Sequence, residues 1–285
     1  MKRLSTKTAT WVMPLTAVVI FVVSQAAMGV ILSLLKVFIS GQTLDGITED
    51  QIMSPGLLAL GILISGIITA GILSAMKMIN WRTVFSTRHI DLHTAIYSLA
   101  GAATGFFAIN YAVEATDAPD TMRDTFIAMS SSWFCMLNIA VLGPIIEELV
   151  FREAIQGSML RRGVKPWITI VVSAVIFGAI HFNWAQTLAG SCMGILLAVV
   201  YYKTGSTALT CIIHVANNSV AVAQMAYYGK EEAPSTDEMM GGTGIAMTTA
   251  VVCLAICLWT MQLLWRHKSS AGAPPQTLHD GWHAA

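Results

Sequence analysis

The chain has 285 residues, 55% of them hydrophobic and 11% charged, with zero formal net charge. Soluble domains carry roughly a quarter charged residues, so a single water-soluble core is excluded and lipid must cover the remaining apolar surface. Charge balance gives no electrostatic ground for a nucleic-acid partner. Five cysteines, Cys135, Cys192, Cys211, Cys253 and Cys257, all lie in apolar segments without CxxC spacing, which excludes a disulfide framework and a zinc ribbon.

A membrane span needs about 20 mostly apolar residues. Eight segments qualify, at 11–38, 55–78, 93–113, 126–160, 166–183, 185–203, 205–228 and 243–265. The first follows Lys2, Arg3 and Lys7, but it is far longer than a signal-peptide core, so it reads as a retained helix. The fourth is long, and its polar last third is expected to project into the cytoplasm. The predicted fold is therefore all-α and polytopic. Residues 1–268 form a single transmembrane domain, and 269–285, with Pro274-Pro275 and small polar residues, form a disordered tail.

Alternate connections differ in charge. One set carries Lys77, Arg82 and Arg88, then Arg161, Arg162 and Lys165, then Lys203, then Arg266 and Lys268. The other carries Asp45, Glu49 and Asp50, then Asp117, Asp120 and Asp124, then Glu231, Glu232, Asp237 and Glu238, with only Arg123 and Lys230 basic. Lys/Arg excess marks the cytoplasmic side, so both termini are expected inside. Gly101/Gly105 and Gly190/Gly194 have the GxxxG spacing that lets membrane helices approach closely.

Ionisable groups within spans cost about 2.5–3.5 kcal/mol each on insertion scales and are functional candidates. The fourth span holds Glu147, Glu148 and Arg152. Glu148 and Arg152 are i,i+4 and can pair, while Glu147 points about 100° away round the helix. It is the less neutralised carboxylate and the candidate general base. An alternative reading places both glutamates in one structural cluster with Arg152. His181 follows in the fifth span. His214 and Asn218 share a face of the seventh, and each histidine alone could instead be a helix–helix hydrogen bond.

Spans four and five form a hairpin about Val164, with Glu147 and His181 each about 25 Å from the turn at 1.5 Å per residue. They should therefore share one membrane depth. Together these residues meet the needs of peptide hydrolysis by water. Glu147 and His181 can hold and deprotonate a water, and His214 and Asn218 can donate to an oxyanion. Glu148 and Arg152 would support them. His89 and His93, also i,i+4, read as a solvated face beside Arg88 rather than a metal site.

In this order and spacing, Glu147-Glu148-x-x-x-Arg152, Phe177-x-x-x-His181 and His214-x-x-x-Asn218 resemble the three motifs of the CPBP family (CAAX proteases and bacteriocin-processing enzymes), which includes the type II CAAX prenyl endopeptidases. The resemblance covers about residues 126–228. It implies an eight-helix intramembrane protease with Glu147 as catalytic glutamate, His181 as its partner on the water, and His214 and Asn218 as the oxyanion pair.

The expectation is an endopeptidase acting on a membrane-associated, lipid-modified or bacteriocin-like peptide, with membrane lipid and that peptide as partners, in a bacterial cytoplasmic (inner) membrane. No cofactor is favoured: HExxH is absent, and Asn218 is a poor zinc ligand but a good oxyanion donor. A zinc site on Glu147, His181 and His214 stays open. Two other readings do also: a non-catalytic immunity or scaffold protein of the same fold, and a small transporter using Glu147 and His181 as a proton relay.

Overall fold

The computed structural model describes residues 6–41, 54–228 and 233–268, with side chains from Thr10 onward. The tail at 269–285 and the acidic residues Asp45, Glu49, Asp50, Glu231 and Glu232 lie outside the described residues. Among the described residues there is no strand, and eight apolar helices, joined in places by short helical segments at Trp81–Val84, Arg123–Met129 and Thr236–Met240, form the bundle: α1 (Thr6–Ser40), α2 (Pro55–Ala75), α3 (Leu92–Glu114), α4 (Trp133–Arg161), α5 (Pro166–Ala179), α6 (Trp184–Thr204), α7 (Thr207–Tyr228) and α8 (Thr243–Arg266).

Local signals set the ends. Pro55 and Pro166 open α2 and α5, where a missing N–H is harmless. Asp91 caps α3 by accepting from the Thr94 N–H at 2.8 Å. Gly205, at φ +64°, closes α6 in the left-handed conformation. Asp91 also accepts from His267 Nε2 at 2.7 Å, tying the start of α3 to the end of α8. The Thr94 N–H and then His267 hold the Asp91 carboxyl well below the usual carboxylate range. That contribution is in place above about pH 4 and fades as the pH falls below it.

Seven of these helices are long and apolar enough to cross a membrane. The fifth, with 14 residues, is shorter. At 1.5 Å per residue it reaches about 21 Å, less than the roughly 30 Å of a hydrocarbon core. Pro166 bars extension at one end. At the other, Phe182 turns the chain at φ +51° before Asn183 caps α6. On length alone, the α5–α6 turn, with His181 in it, falls within the thickness of a hydrocarbon core. Irregular backbone is tolerated there only against protein or a water-lined cavity.

Helix α4 runs through the middle, packed on α1, α2, α5 and α7, while α3 packs on α8 and α5 on α6. Its last third does not project from the bundle as expected. Every residue from Leu149 to Leu160 is buried, because Glu153, Gln156 and Ser158 all find partners inside. Glu153 binds Arg161 Nη1 at 2.9 Å and the Tyr201 hydroxyl at 2.9 Å. It also accepts from Thr207 Oγ1 at 3.1 Å and the Asn80 N–H at 3.2 Å. This knot joins α4, α6, α7 and the α2–α3 connection at the basic end of the bundle. His89, expected on a solvated face with His93, is only 3% exposed, so that expectation holds for His93 alone.

Glycines permit the closest approaches. Gly101 and Gly105 admit Met261, Thr260 and Cys257 of α8, and Gly194 lies on Ala174 of α5. A Cβ on Gly178 would fall 2.5 Å from the Thr187 carbonyl oxygen and 2.8 Å from the Ser191 nitrogen, both backbone atoms. Gly178→Ala is thus expected to lower stability by about 1–3 kcal/mol through overpacking, read as a lower melting temperature in detergent. Gly71→Ala, with nothing within 4 Å of the added carbon, should leave the melting temperature unchanged or slightly raised.

Candidate active site

Helix α4 carries the acidic half of the site, and its winding is unusual. It widens to i→i+5 hydrogen bonding over Asn138–Leu142 and again over Leu149–Gly157. Such wide turns gather at functional positions. In the first, the Gly143 N–H bonds to the Asn138 carbonyl. The next i→i+5 donor to Ile139 would be Pro144, which has no N–H. The Ile139 carbonyl is instead taken by Asn218 Nδ2 of α7 at 3.1 Å. Asn138 Nδ2 reaches the Ala59 carbonyl of α2. Two wide-turn positions thereby lock α4 to its neighbours.

The expected ion pair is present. Arg152 Nε donates to Glu148 Oε2 at 3.1 Å, with both side chains fully buried. Arg152 Nη1 donates to Ser173 Oγ at 2.9 Å, and the Ser173 hydroxyl in turn donates to the Phe151 carbonyl at 3.0 Å. The guanidinium also lies 5.3 Å from the centre of the Phe177 ring. Among the described residues nothing accepts from the buried Arg152 Nη2.

Glu148 holds more than Arg152. Its Oε1 is 3.0 Å from His214 Nδ1, which must donate to an ionised carboxylate. The far nitrogen, Nε2, is 3.7 Å from Glu147 Oε2. His214 is thus bracketed by both glutamates and buried, with 3% exposure. Glu147 keeps 23% of its side chain exposed, facing the cavity without the guanidinium.

His181, in the turn after α5, places Nδ1 2.8 Å from the Phe177 carbonyl. A carbonyl can only accept, so Nδ1 carries a proton, and in the neutral ring Nε2 presents a lone pair. Gly190 packs beside this ring, 3.7 Å from its Nδ1 for an added Cβ. Phe177 stands edge-on to both histidines, with ring centres 5.2 Å from His181 and 5.7 Å from His214.

Glu147, His181, His214 and Asn218 all line one cavity of about 870 Å³. Most of the remaining wall is apolar, contributed by α1, α4, α6 and α7. Asn110, Asn138, Asn217 and Gln224 add amides that sequence reading did not single out. Their only signal was being polar within spans, and amides are common there as packing contacts. Phe177 was visible in its motif without a role. Its place between the guanidinium and both imidazoles supplies one. Among the described residues no group of three or more His, Cys, Asp or Glu side chains is placed to hold a metal ion.

Fold and site define an α-helical membrane protein with a carboxylate–imidazole centre inside its bundle. The resemblance read from the three motifs holds: residues 129–220 match the family model "Type II CAAX prenyl endopeptidase Rce1-like", and this stretch contains all seven motif residues. Two curated relatives are similar over parts of their length. One, the Bacillus subtilis protein described as "Putative membrane peptidase YdiL", is 29% identical over 83 residues, covering 29% of this chain and 34% of the relative. The other, the "Membrane-embedded CAAX protease MroQ" of Staphylococcus aureus, is 30% identical over 112 residues, covering 37% of this chain and 44% of the relative. The chain thus matches between a third and a half of the length of these relatives. No solved structure matches significantly.

Removing Arg152 would leave the fully buried Glu148 without its guanidinium partner and with only His214 to meet its charge. Arg152→Ala is therefore expected to cost about 3–5 kcal/mol, measured as a fall in melting temperature of the purified protein. An unchanged melting temperature would contradict the pairing.

Proposed function

We propose that this chain is an intramembrane endopeptidase of a bacterial cytoplasmic membrane, cleaving a membrane-associated or lipid-modified peptide with a water activated by Glu147. One observation carries the reading. Of two adjacent glutamates at membrane depth, Glu148 is committed to Arg152 and His214, while Glu147 faces a large apolar cavity shared with His181. A packing cluster has no need to leave a carboxylate facing such a space.

In this mechanism Glu147 removes a proton from a water that His181 Nε2 also orients. The nascent hydroxide attacks the scissile carbonyl carbon, and the carbonyl oxygen gains the charge. Asn218 donates to that oxygen with the amide hydrogen not held by Ile139. His214 can join it only from Nε2, because Nδ1 is committed to Glu148. That role needs the doubly protonated ring, whose charge together with Arg152 balances the two glutamates. Collapse of the intermediate breaks the C–N bond, and Glu147 returns its proton to the leaving amine. The products are a carboxylate and an amine, with one water consumed.

No metal is needed in this scheme. The apolar wall suits a lipid-modified or transmembrane segment, whose backbone carbonyls and amides could meet the cavity's asparagines and glutamines.

Purified protein in nanodiscs, given a panel of lipid-modified and leader-type peptides, is expected to cleave at least one in the presence of EDTA. Glu147→Gln should reduce that rate by about 10²-fold or more, the usual contribution of a general base, with an unchanged melting temperature. Full activity in the variant would overturn the assigned base, and loss of cleavage in EDTA would overturn the metal-free chemistry. Stable peptide binding without turnover would favour a non-catalytic scaffold.

A further inference from the structure

The cavity is open at one end and closed at the other. Its lining reaches Asp120 and Arg123 before α4, Phe182 in the α5–α6 turn, Tyr228 at the end of α7 and Ala233 beyond it. No residue from the opposite turns, 76–91, 162–165 or 205–206, lines it. On that side the bundle is filled by the continuous buried stretch Leu149–Leu160, backed by Glu153 with Arg161 and Tyr201. Phe151, Ile155, Met159 and Tyr201 in this plug are all 0% exposed.

The two ends differ in charge. The plugged end carries Lys77, Arg82, Arg88, Arg161, Arg162, Lys165, Lys203, Arg266 and Lys268. The open end carries Glu114, Asp117, Asp120, Asp124, Asp237 and Glu238, against Lys36 and Arg123 among the described basic residues. Lys/Arg excess in short loops is retained in the cytoplasm. The plugged end is then cytoplasmic and the cavity mouth lies on the other face.

From this we infer that the site receives its substrate from the extracytoplasmic side of the membrane. The substrate class is a peptide presented at that surface: the outer half of a transmembrane segment, or an exported peptide lodged in the outer leaflet. A lipidated C-terminus exposed to the cytoplasm would meet the plug. The inference rests on the protease reading for its substrate but not for its geometry, so labelling and cleavage can be tested apart.

Single cysteines in a background lacking the five native ones report each position to a membrane-impermeant maleimide. Asp117→Cys marks the acidic end, Thr87→Cys the basic end, and Ala221→Cys the cavity wall beyond Asn218. In intact spheroplasts, positions 117 and 221 are expected to label and position 87 to stay protected, with position 87 reacting only in inside-out vesicles. Labelling of position 221 from the cytoplasmic side alone, from both sides, or from neither would overturn the inference. With native cysteines restored, peptides of the cleaved class are expected to be processed at least tenfold faster by right-side-out than by inside-out vesicles. Equal or reversed rates would also overturn it. Cleavage by neither preparation would sink the protease reading while the labelling pattern still decided the side of entry.

Discussion

A guanidinium and a carboxylate buried together in a membrane bundle constrain everything around them. Neither charge can be hydrated, so each must be met by protein, and removing one partner costs more than the pair contributes. Arg152 and Glu148 satisfy this by recruiting the surrounding helices. Ser173 of α5 accepts from the guanidinium, the Phe177 ring lies against it, and His214 of α7 donates to the carboxylate. Three helices are thereby held to one point, and with Arg152 and His214 already engaged by Glu148, Glu147 is left at the cavity edge.

A second constraint comes from the solvent. In hydrocarbon every backbone group needs a partner, and departures from regular helix are admitted only where side chains replace the lost bonds. Two of the chain's departures show this at its site. The wide turn before Pro144 releases the Ile139 carbonyl to Asn218, and the short α5 ends in a turn whose Phe177 carbonyl is met by His181. In both places the compensating side chain belongs to the candidate site. Maintenance of the backbone and placement of the reactive groups are one task.

Much of this was legible beforehand. Composition and charge alternation gave the polytopic helical class and the helix order, because lipid demands long apolar runs and few charges. The i,i+4 spacing gave the Glu148–Arg152 pair, and counting from Val164 brought Glu147 and His181 to one cavity. Other features follow from contacts between distant segments, which spacing does not encode. Glu153 was passed over because its partners, Asn80, Tyr201 and Thr207, come from three other places in the chain. For the same reason the polar end of α4 looked solvated and His89 looked exposed. The bond from Glu148 to His214 was invisible because helix periodicity ranks residues on one helix and says nothing of what faces them.

Pro144 shows how a missing atom can shape a site. Any other residue there would supply an N–H able to compete for the Ile139 carbonyl, and the Asn218 amide would lose its anchor. With proline in place, that amide is fixed before any substrate arrives. In the proposed mechanism a donor held in place in this way needs no reorganisation at the moment of reaction, and this is where electrostatic catalysis gains most. The imino acid that frees the carbonyl is therefore also a control on the rotational freedom of a carboxamide on another helix.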